Sequence, residues 1–397
     1  MKKDASRRGS AGKEPAGPVL VDNREARRRA RLAKRRRRTA AGIFLLIALL
    51  IVIFREDIDL YRLRQRLTAG QEEAVERFTV DLDTNGTLVW GASRDNLVLC
   101  SGSALAVYRQ DGSEKMSETV SLANPAIVTA DRYALVYDRG GVNAYLTGGS
   151  ALSSAIQSAG TILTGDVAEN GSFALVSTSS EALSVVEVYS RHGKLRYRFV
   201  SSSSYVSGVA LSDDGRQLAI AGFAVEQANL GGVLRFLDTS SEQPTAEVSL
   251  PDELILDVGQ VGDTLMVLTD TALRTYHLKT GELQSETGFD GQQLLHYTLG
   301  EQGAALVLGR YTVGHGSSLL SYNSSGELLG SAALEEDTRA LSAAHDRLLV
   351  LFGGSVTLYD RQGNVLVTRQ AASVRGGVML HGGTAALIDG SGVTLLS

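Results

Sequence analysis

At 397 residues, with 43% hydrophobic residues, 43 Gly and only 5 Pro, the chain is too long for one ordinary domain and short for three, and its composition excludes a disordered linker protein. Its net charge of −5 conceals a segregation: residues 1–38 hold 15 Lys and Arg against 4 Asp and Glu, a balance of +11, whereas the other 359 residues hold 24 against 40, a balance of −16. The single cysteine, Cys100, excludes an intramolecular disulfide framework and a Cys-based zinc site.

Charge asymmetry of this kind means that the two parts face different surroundings. Residues 1–38 read as a basic cytoplasmic tail. Ten of its basic residues crowd positions 24–38, among them Arg27, Arg28, Arg29 and the run Lys34 to Arg38, opposed there only by Glu25. Residues 39–54, from Thr39 to Phe54, follow as an uncharged run of 16. As a helix this run covers about 24 Å, against a hydrocarbon core of about 30 Å; snorkelling of Arg38 and Arg55 closes the difference. The positive-inside rule puts the tail in the cytoplasm and everything beyond residue 54 outside. The run ends in Phe54, Arg55, Glu56 and Asp57 rather than small residues, so it reads as an uncleaved signal-anchor and not as a cleaved signal peptide. Cys100 is too distant to be lipidated. The basic tail is explained by its place beside the anchor and by anionic inner-leaflet lipid, so no nucleic-acid partner is expected.

Residues 55–76 carry Ile58, Leu60, Tyr61, Leu63 and Leu67 at helical spacing and are expected to form a juxtamembrane stalk. The remainder, 77–397, repeats. An apolar run ends in an aromatic, three turn-formers follow, then Gly: Tyr108–Gly112, Tyr145–Gly149, Tyr189–Gly193, Tyr322–Gly326 and Tyr359–Gly363, with variants at Phe236–Ser240 and Tyr276–Gly281. The aromatics are spaced 37, 44, 47, 40, 46 and 37 residues apart. Each reads as a hairpin whose turn needs a residue at positive φ. Two further strand-like runs precede each, such as 205–211 and 217–222 joined by 212–215, or 162–168 and 172–176 joined by 169–171. Four antiparallel strands in about 40 residues make a β-propeller blade.

At this level the chain resembles known propellers. The stretch 211–219, beginning Leu211, Ser212, Asp213, Asp214, Gly215, is similar to the inner-hairpin motif of WD40-like and TolB-like propellers, and the repeated Tyr-x-x-x-Gly hairpins resemble those of quinoprotein-like propellers. The Trp-Asp dipeptide of strict WD40 repeats is absent; the one Trp is Trp90. The plan of basic tail, anchor and degenerate propeller is similar to an uncharacterised group of membrane-anchored proteins of Gram-positive bacteria. Seven hairpin aromatics give units starting near 87, 123, 158, 203, 251, 290 and 335. Strand-like runs at 374–380, 385–388 and 392–397 then wait for a fourth strand, which 77–82 can supply. The expected architecture is therefore all-β, a propeller of eight four-stranded blades with seven as the alternative, closed by strands from both ends and preceded by one transmembrane helix. Such closure removes open sheet edges.

No catalytic, cofactor or metal residues are assigned. The six histidines, His192, His277, His296, His315, His345 and His381, fall in different repeats, and none forms a His-x-x-x-His pair. The loop 314–318 around His315 lacks the strand-to-helix setting of a nucleophile elbow. Asp81 with Asp83, and Asp213 with Asp214, suit strand-end and turn positions. Cys100, at the end of the apolar run 97–100, reads as a buried small residue. The quinoprotein resemblance implies a redox cofactor only where stacking aromatics and cation ligands are present; none is identified, so no cofactor is expected. The expected function is a non-enzymatic binding or scaffold module at the cell membrane, single-pass, its propeller outside and engaging an envelope protein or glycan. The alternatives are an envelope hydrolase or lyase with its site in the propeller channel, and a receptor signalling through 1–38. Oligomeric state is left open.

Overall fold

In this computed structural model the described residues are 77–80, 87–226, 229–300, 302–309 and 316–397. The chain divides into two units, Met1–Ala69 and Gly70–Ser397, and all described residues belong to the second. The tail 1–38, the apolar run 39–54 and the stalk 55–76 lie outside the described residues, as do Asp81, Asp83 and His315. No helix among the described residues is long and apolar enough to cross a membrane.

The second unit is a ring of eight antiparallel four-stranded sheets. Within each blade the chain starts beside the central axis and steps outward. The inner strands are Val89–Ser93, Pro125–Ala130, Ile162–Val167, Tyr205–Leu211, Ile255–Val261, Gln293–Gly300, Ala340–Ala344 and Gly376–Met379. Second strands such as Leu97–Cys100 within Asn96–Cys100, and Phe173–Ser177, are buried throughout because sheets cover both of their faces. The apolar side chains gather between neighbouring blades rather than in one central core. One layer joins Val186 and Val188 of the third blade to Val209, Leu211 and Ile220 of the fourth. Cys100 belongs to the layer between the first two blades, and burial pushes its thiol up to about 12.

The repeated aromatic hairpins join the third and fourth strands of the blades. Their glycines sit where a side chain is disfavoured: Gly112 has φ of +79°, and a Cβ there would also lie 2.7 Å from Cβ of Phe78. Two hairpins depart from the pattern. Tyr145 falls inside the strand Asn143–Thr147. The turn after Phe236 lacks glycine and is held by Asp238, whose Oδ1 accepts the Ser240 backbone N–H at 2.8 Å.

The eighth blade consists of Gly376–Met379, Ala385–Ile388 and Val393–Leu396, with Arg77–Phe78 as its outer strand. Of the expected strand 77–82, Arg77 pairs with Thr394 and Phe78 with Val393, residues 79 and 80 are not strand, and 81–82 lie outside the described residues. Short pairing is reinforced by side chains. Arg77 donates to Asp389 at 2.9 Å and to Ser391 at 2.6 Å, and the Phe78 ring lies 6.0 Å from that of Tyr108 in the first blade. The seam layer unites Leu97, Leu99 and Tyr108 with Leu380, Ile388 and Leu395. Trp90 lies across it, so close to Gly376 that any Cβ there would meet the indole.

Phe78→Ala is therefore expected to lower the unfolding free energy by about 2 kcal/mol, since the ring is half-buried and Phe→Ala in a full core costs about 3–5 kcal/mol. Urea unfolding of the full chain, followed by Trp90 emission at the same seam, measures it. An unchanged midpoint would mean that the N-terminal strand does not hold the ring.

Candidate functional site

The inner strands enclose a central channel with a cavity of about 830 Å3. Each inner strand turns back into its blade at the same face of the ring, so each blade offers one turn residue to that mouth. Around the ring these are Arg94, Asp131, Glu169, Asp213, Gly262, Gln302, His345 and His381, all lining the channel. Blade n faces blade n+4 in an eight-fold ring. Glu169 therefore stands across from His345, and Asp213 across from His381.

The mouth is tied together from blade to blade. Arg94 grips Asp131 through Nε at 2.5 Å and Nη2 at 2.9 Å, a bidentate pair. The His345 and His381 rings meet with centroids 4.4 Å apart, and Gln302 Nε2 lies 3.0 Å from Nδ1 of His345. Beneath them Arg361, itself buried, donates from Nε to the His345 carbonyl at 3.1 Å. Burial lowers the pKa of this guanidinium. Three of the turn residues, Arg94, Asp131 and His345, hold positive φ without being glycine. Such backbone costs of order 1–3 kcal/mol and is retained where the surroundings enforce it, commonly at functional sites.

Deeper in the channel lie Asp166 of the third blade and Asp257 of the fifth. Asp166 Oδ2 accepts the Leu211 N–H at 2.8 Å, bridging the third and fourth blades. Burial deep in the channel pushes its carboxyl up to about 7 despite that bond, and the charge of Asp257 adds to the effect. Part of its surface stays accessible from the channel, so this is a deep but solvent-reachable acid. Asp257 is likewise raised by burial, opposed by its own Val258 N–H and by the Tyr297 hydroxyl. Burial, then Asp257, push Tyr297 up to about 12. Chemically, the channel holds a carboxyl able to carry or release a proton near neutrality beside a second carboxyl and a phenol. Among the described residues no three His, Cys, Asp or Glu side chains converge to hold a metal ion.

The opposite mouth has different chemistry. Four successive inner strands, in the third to sixth blades, carry a β-bulge at the same place, between Ile162 and Thr164, Val206 and Gly208, Ile255 and Asp257, and Leu294 and His296. The extra residues are Leu163, Ser207, Leu256 and Leu295. A bulge re-aims a side chain, and all three leucines are exposed. Beside them the hairpin Gln217–Glu226 and Asn229–Asp238 is longer than the expected 217–222. It runs past its neighbours, which pair only as far as Phe223 on one side and Gly232 on the other.

The candidates from sequence distribute as follows. His192 and His277 stay at hairpin turns, where His277 Nδ1 accepts the Thr280 N–H at 3.3 Å. His296 lies beside a bulge, 2.7 Å from the Thr338 carbonyl. Asp214 does the work of a turn residue, accepting from Ser212 Oγ at 2.8 Å and the Arg216 N–H at 3.0 Å, whereas Asp213 lines the channel. The pairings His345 with His381 and Asp166 with Asp257 were not visible to a search for chain neighbours. The separation of 36 residues between the two histidines, one blade period, is the signal that would have found them.

Among solved structures the chain is similar to BamB from Moraxella catarrhalis, at 13% identity over 82% of this chain and 100% of that one, with a TM-score of 0.51. It is also similar to the computationally designed Ika8 protein, at 11% identity, 82% and 100% coverage, and a TM-score of 0.57. A third is the Cps50 (Swd1) β-propeller domain from Myceliophteria thermophila, at 10% identity, 71% and 96% coverage, and a TM-score of 0.49. These likenesses concern the fold alone. No curated protein matches the sequence. Residues 78–374 match the family described as "Family of unknown function (DUF5711)".

Proposed function

We propose, from the premise that the chain belongs to the family of unknown function DUF5711, that it is a non-enzymatic binding or scaffold module of the bacterial envelope. The run 39–54 anchors it as a single membrane pass, with 1–38 in the cytoplasm and the propeller outside, where it engages an envelope protein or glycan. One observation carries the binding reading: eight blades each bring one turn residue to a common mouth on a closed ring, and seven of the eight, all but Gly262, deliver a side chain. Rigid scaffolds that present clustered loop residues are suited to recognition, and a membrane tether raises the local concentration of whatever is bound. The address rests on the Arg cluster and the apolar run alone.

A label fused to the C-terminus, on the propeller, tests both parts in one experiment. Proximity labelling is expected to mark extracytoplasmic neighbours, with the set changing when Glu169 and His345 are replaced. Recovery of cytoplasmic neighbours only would overturn the topology.

The second reading, a hydrolase or lyase acting in the channel, is favoured by Asp166 and Asp257 and their raised pKa values. Turnover of a chromogenic glycoside or ester by the wild type, and its loss in Asp257→Asn, would decide for it.

A further inference from the structure

We infer that the face bearing the bulged leucines docks a basic, amphipathic polypeptide segment. The inference rests on the binding-module reading and names the partner. The two faces of the ring differ in kind. One mouth is rimmed by Arg94, Asp131, Glu169, Asp213 and the histidines; the other exposes Leu163, Tyr205, Leu256 and Leu295 on four neighbouring inner strands. Leu256 and Leu295 are each 45% exposed, where a propeller could have placed polar residues at no cost to its core. In the third, fifth and sixth blades the bulges bring leucines there at the same register, which scattered surface leucines would not do; in the fourth the bulged residue is Ser207, and Tyr205 stands two positions before it.

The long hairpin adds a wall to this floor. Beyond Phe223, which stacks on Tyr205 at 5.4 Å, three residue pairs run on past the last residues paired with the neighbouring strands: Ala224 with Gly231, which still touches Leu250, then Val225 with Leu230, and Glu226 with Asn229. At about 3.3 Å per residue they project about 10 Å. Val225 is 69% exposed. The Ala224–Glu226 edge of this short ribbon has no strand of the blade paired to it, the geometry that receives an added strand.

Charge selects the occupant. The loops of the fifth to seventh blades on this face carry exposed Asp252, Asp270, Asp290, Glu335, Glu336 and Asp337, against a single Arg339 among the described residues of 251–254, 270–271, 289–292, 335–339 and 352–354. An apolar floor beside an acidic rim fits a segment with apolar side chains on one side and Lys or Arg on the other, and it repels anionic lipid headgroups and wall polymers.

The test uses the full chain in detergent micelles and two synthetic ten-residue probes, one alternating Leu with Lys and one alternating Leu with Glu. The Leu–Lys peptide is expected to bind and the Leu–Glu peptide not to bind. Leu256→Ser with Leu295→Ser should weaken binding about tenfold, as truncation of interface anchors does. Glu335→Lys with Glu336→Lys and Asp337→Lys should do the same. Glu114→Lys with Glu118→Lys, exposed acids on the outer strand of the first blade, should leave binding unchanged, and circular dichroism verifies folding of each variant. Equal weakening by all three sets would reduce the binding to general charge attraction and overturn the inference. So would capture of phosphatidylglycerol vesicles through the same leucines, or a dimer of the chain abolished by the leucine variant. Failure of the peptide to bind, with propeller-borne labelling still marking extracytoplasmic neighbours, would remove this surface and leave the binding-module reading intact. Cytoplasmic labelling would remove the reading itself.

Discussion

Asp166→Asn is expected to stabilise the propeller at pH 8 by up to about 4 kcal/mol, and to change it little near pH 4. The carboxyl is raised from 3.8 to about 7 in the folded protein, chiefly by burial. Below about 3.8 folded and unfolded chains both hold the proton, and burial of the neutral acid carries no charge penalty. Between about 3.8 and 7 the unfolded chain releases its proton while the folded one keeps it, so stability falls as pH rises. Above about 7 the folded chain must hold the buried charge, and the full penalty applies; three units at about 1.4 kcal/mol each give the upper figure. The partial accessibility of Asp166 makes it an upper bound. Asparagine keeps an oxygen to accept the Leu211 N–H and carries no charge at any pH. Urea midpoints of the full chain and the variant, measured between pH 4.5 and 8, should diverge steadily. A constant difference across that range would show that Asp166 ionises as an ordinary carboxylate. A group that costs the fold stability at neutral pH is the kind of residue retained for function rather than for packing, which links this measurement to the channel reading.

Arg274→Met is expected to act in the opposite direction, lowering stability by about 3–5 kcal/mol. The side chain is 8% exposed and donates to Glu253 at 2.6 and 2.8 Å and to Glu286 at 3.0 Å. Glu253 also accepts from Thr269 and Thr271, both at 2.8 Å, and its backbone carbonyl accepts the Gly232 N–H at 2.8 Å. The network thus ties the connection between the fourth and fifth blades to the base of the projecting hairpin. Methionine fills the volume but strands a half-buried carboxylate. The Arg274 bonds hold the Glu253 carboxyl below its usual 4.5, so its stabilisation is present above about 4.5 and is lost as pH falls through the depressed value. Wild type and variant should therefore converge on acidification. Adding Glu253→Gln should recover part of the loss by removing the stranded charge. A loss under about 1 kcal/mol at pH 7 would make the pair an ordinary surface bridge.

Much of the ring was legible in the chain because a blade is a local unit. The expected strand 205–211 matches Tyr205–Leu211, and 385–388 matches Ala385–Ile388, since alternating apolar residues and turn-formers act over a few positions. The hairpin of the fourth blade was under-read: Gly231 and Gly232 suggest a loop, yet they lie within the strand Asn229–Asp238, where Gly232 makes room for the Ile255 side chain. The site was less legible still. Its members are set one or more blades apart, as His345 and His381 are, and motifs are sought among residues near in sequence. The bulges escaped for another reason: each is a disagreement in length between two paired strands, which no single strand reveals.

The seam also sets an order in time. Arg77 meets Asp389 across 312 residues of chain, so the strand made first is the last to find its partner. At about 5–20 residues per second of synthesis, that interval is of order 15–60 s. Seven blades need only their own strands and can form as they emerge, whereas the eighth stays open until Val393–Leu396 appears. Throughout that wait Phe78 and the edge of the first blade lack their cover, and the nascent chain is at its most prone to aggregation. Loss of the last strand, Val393–Leu396, would prolong the wait indefinitely.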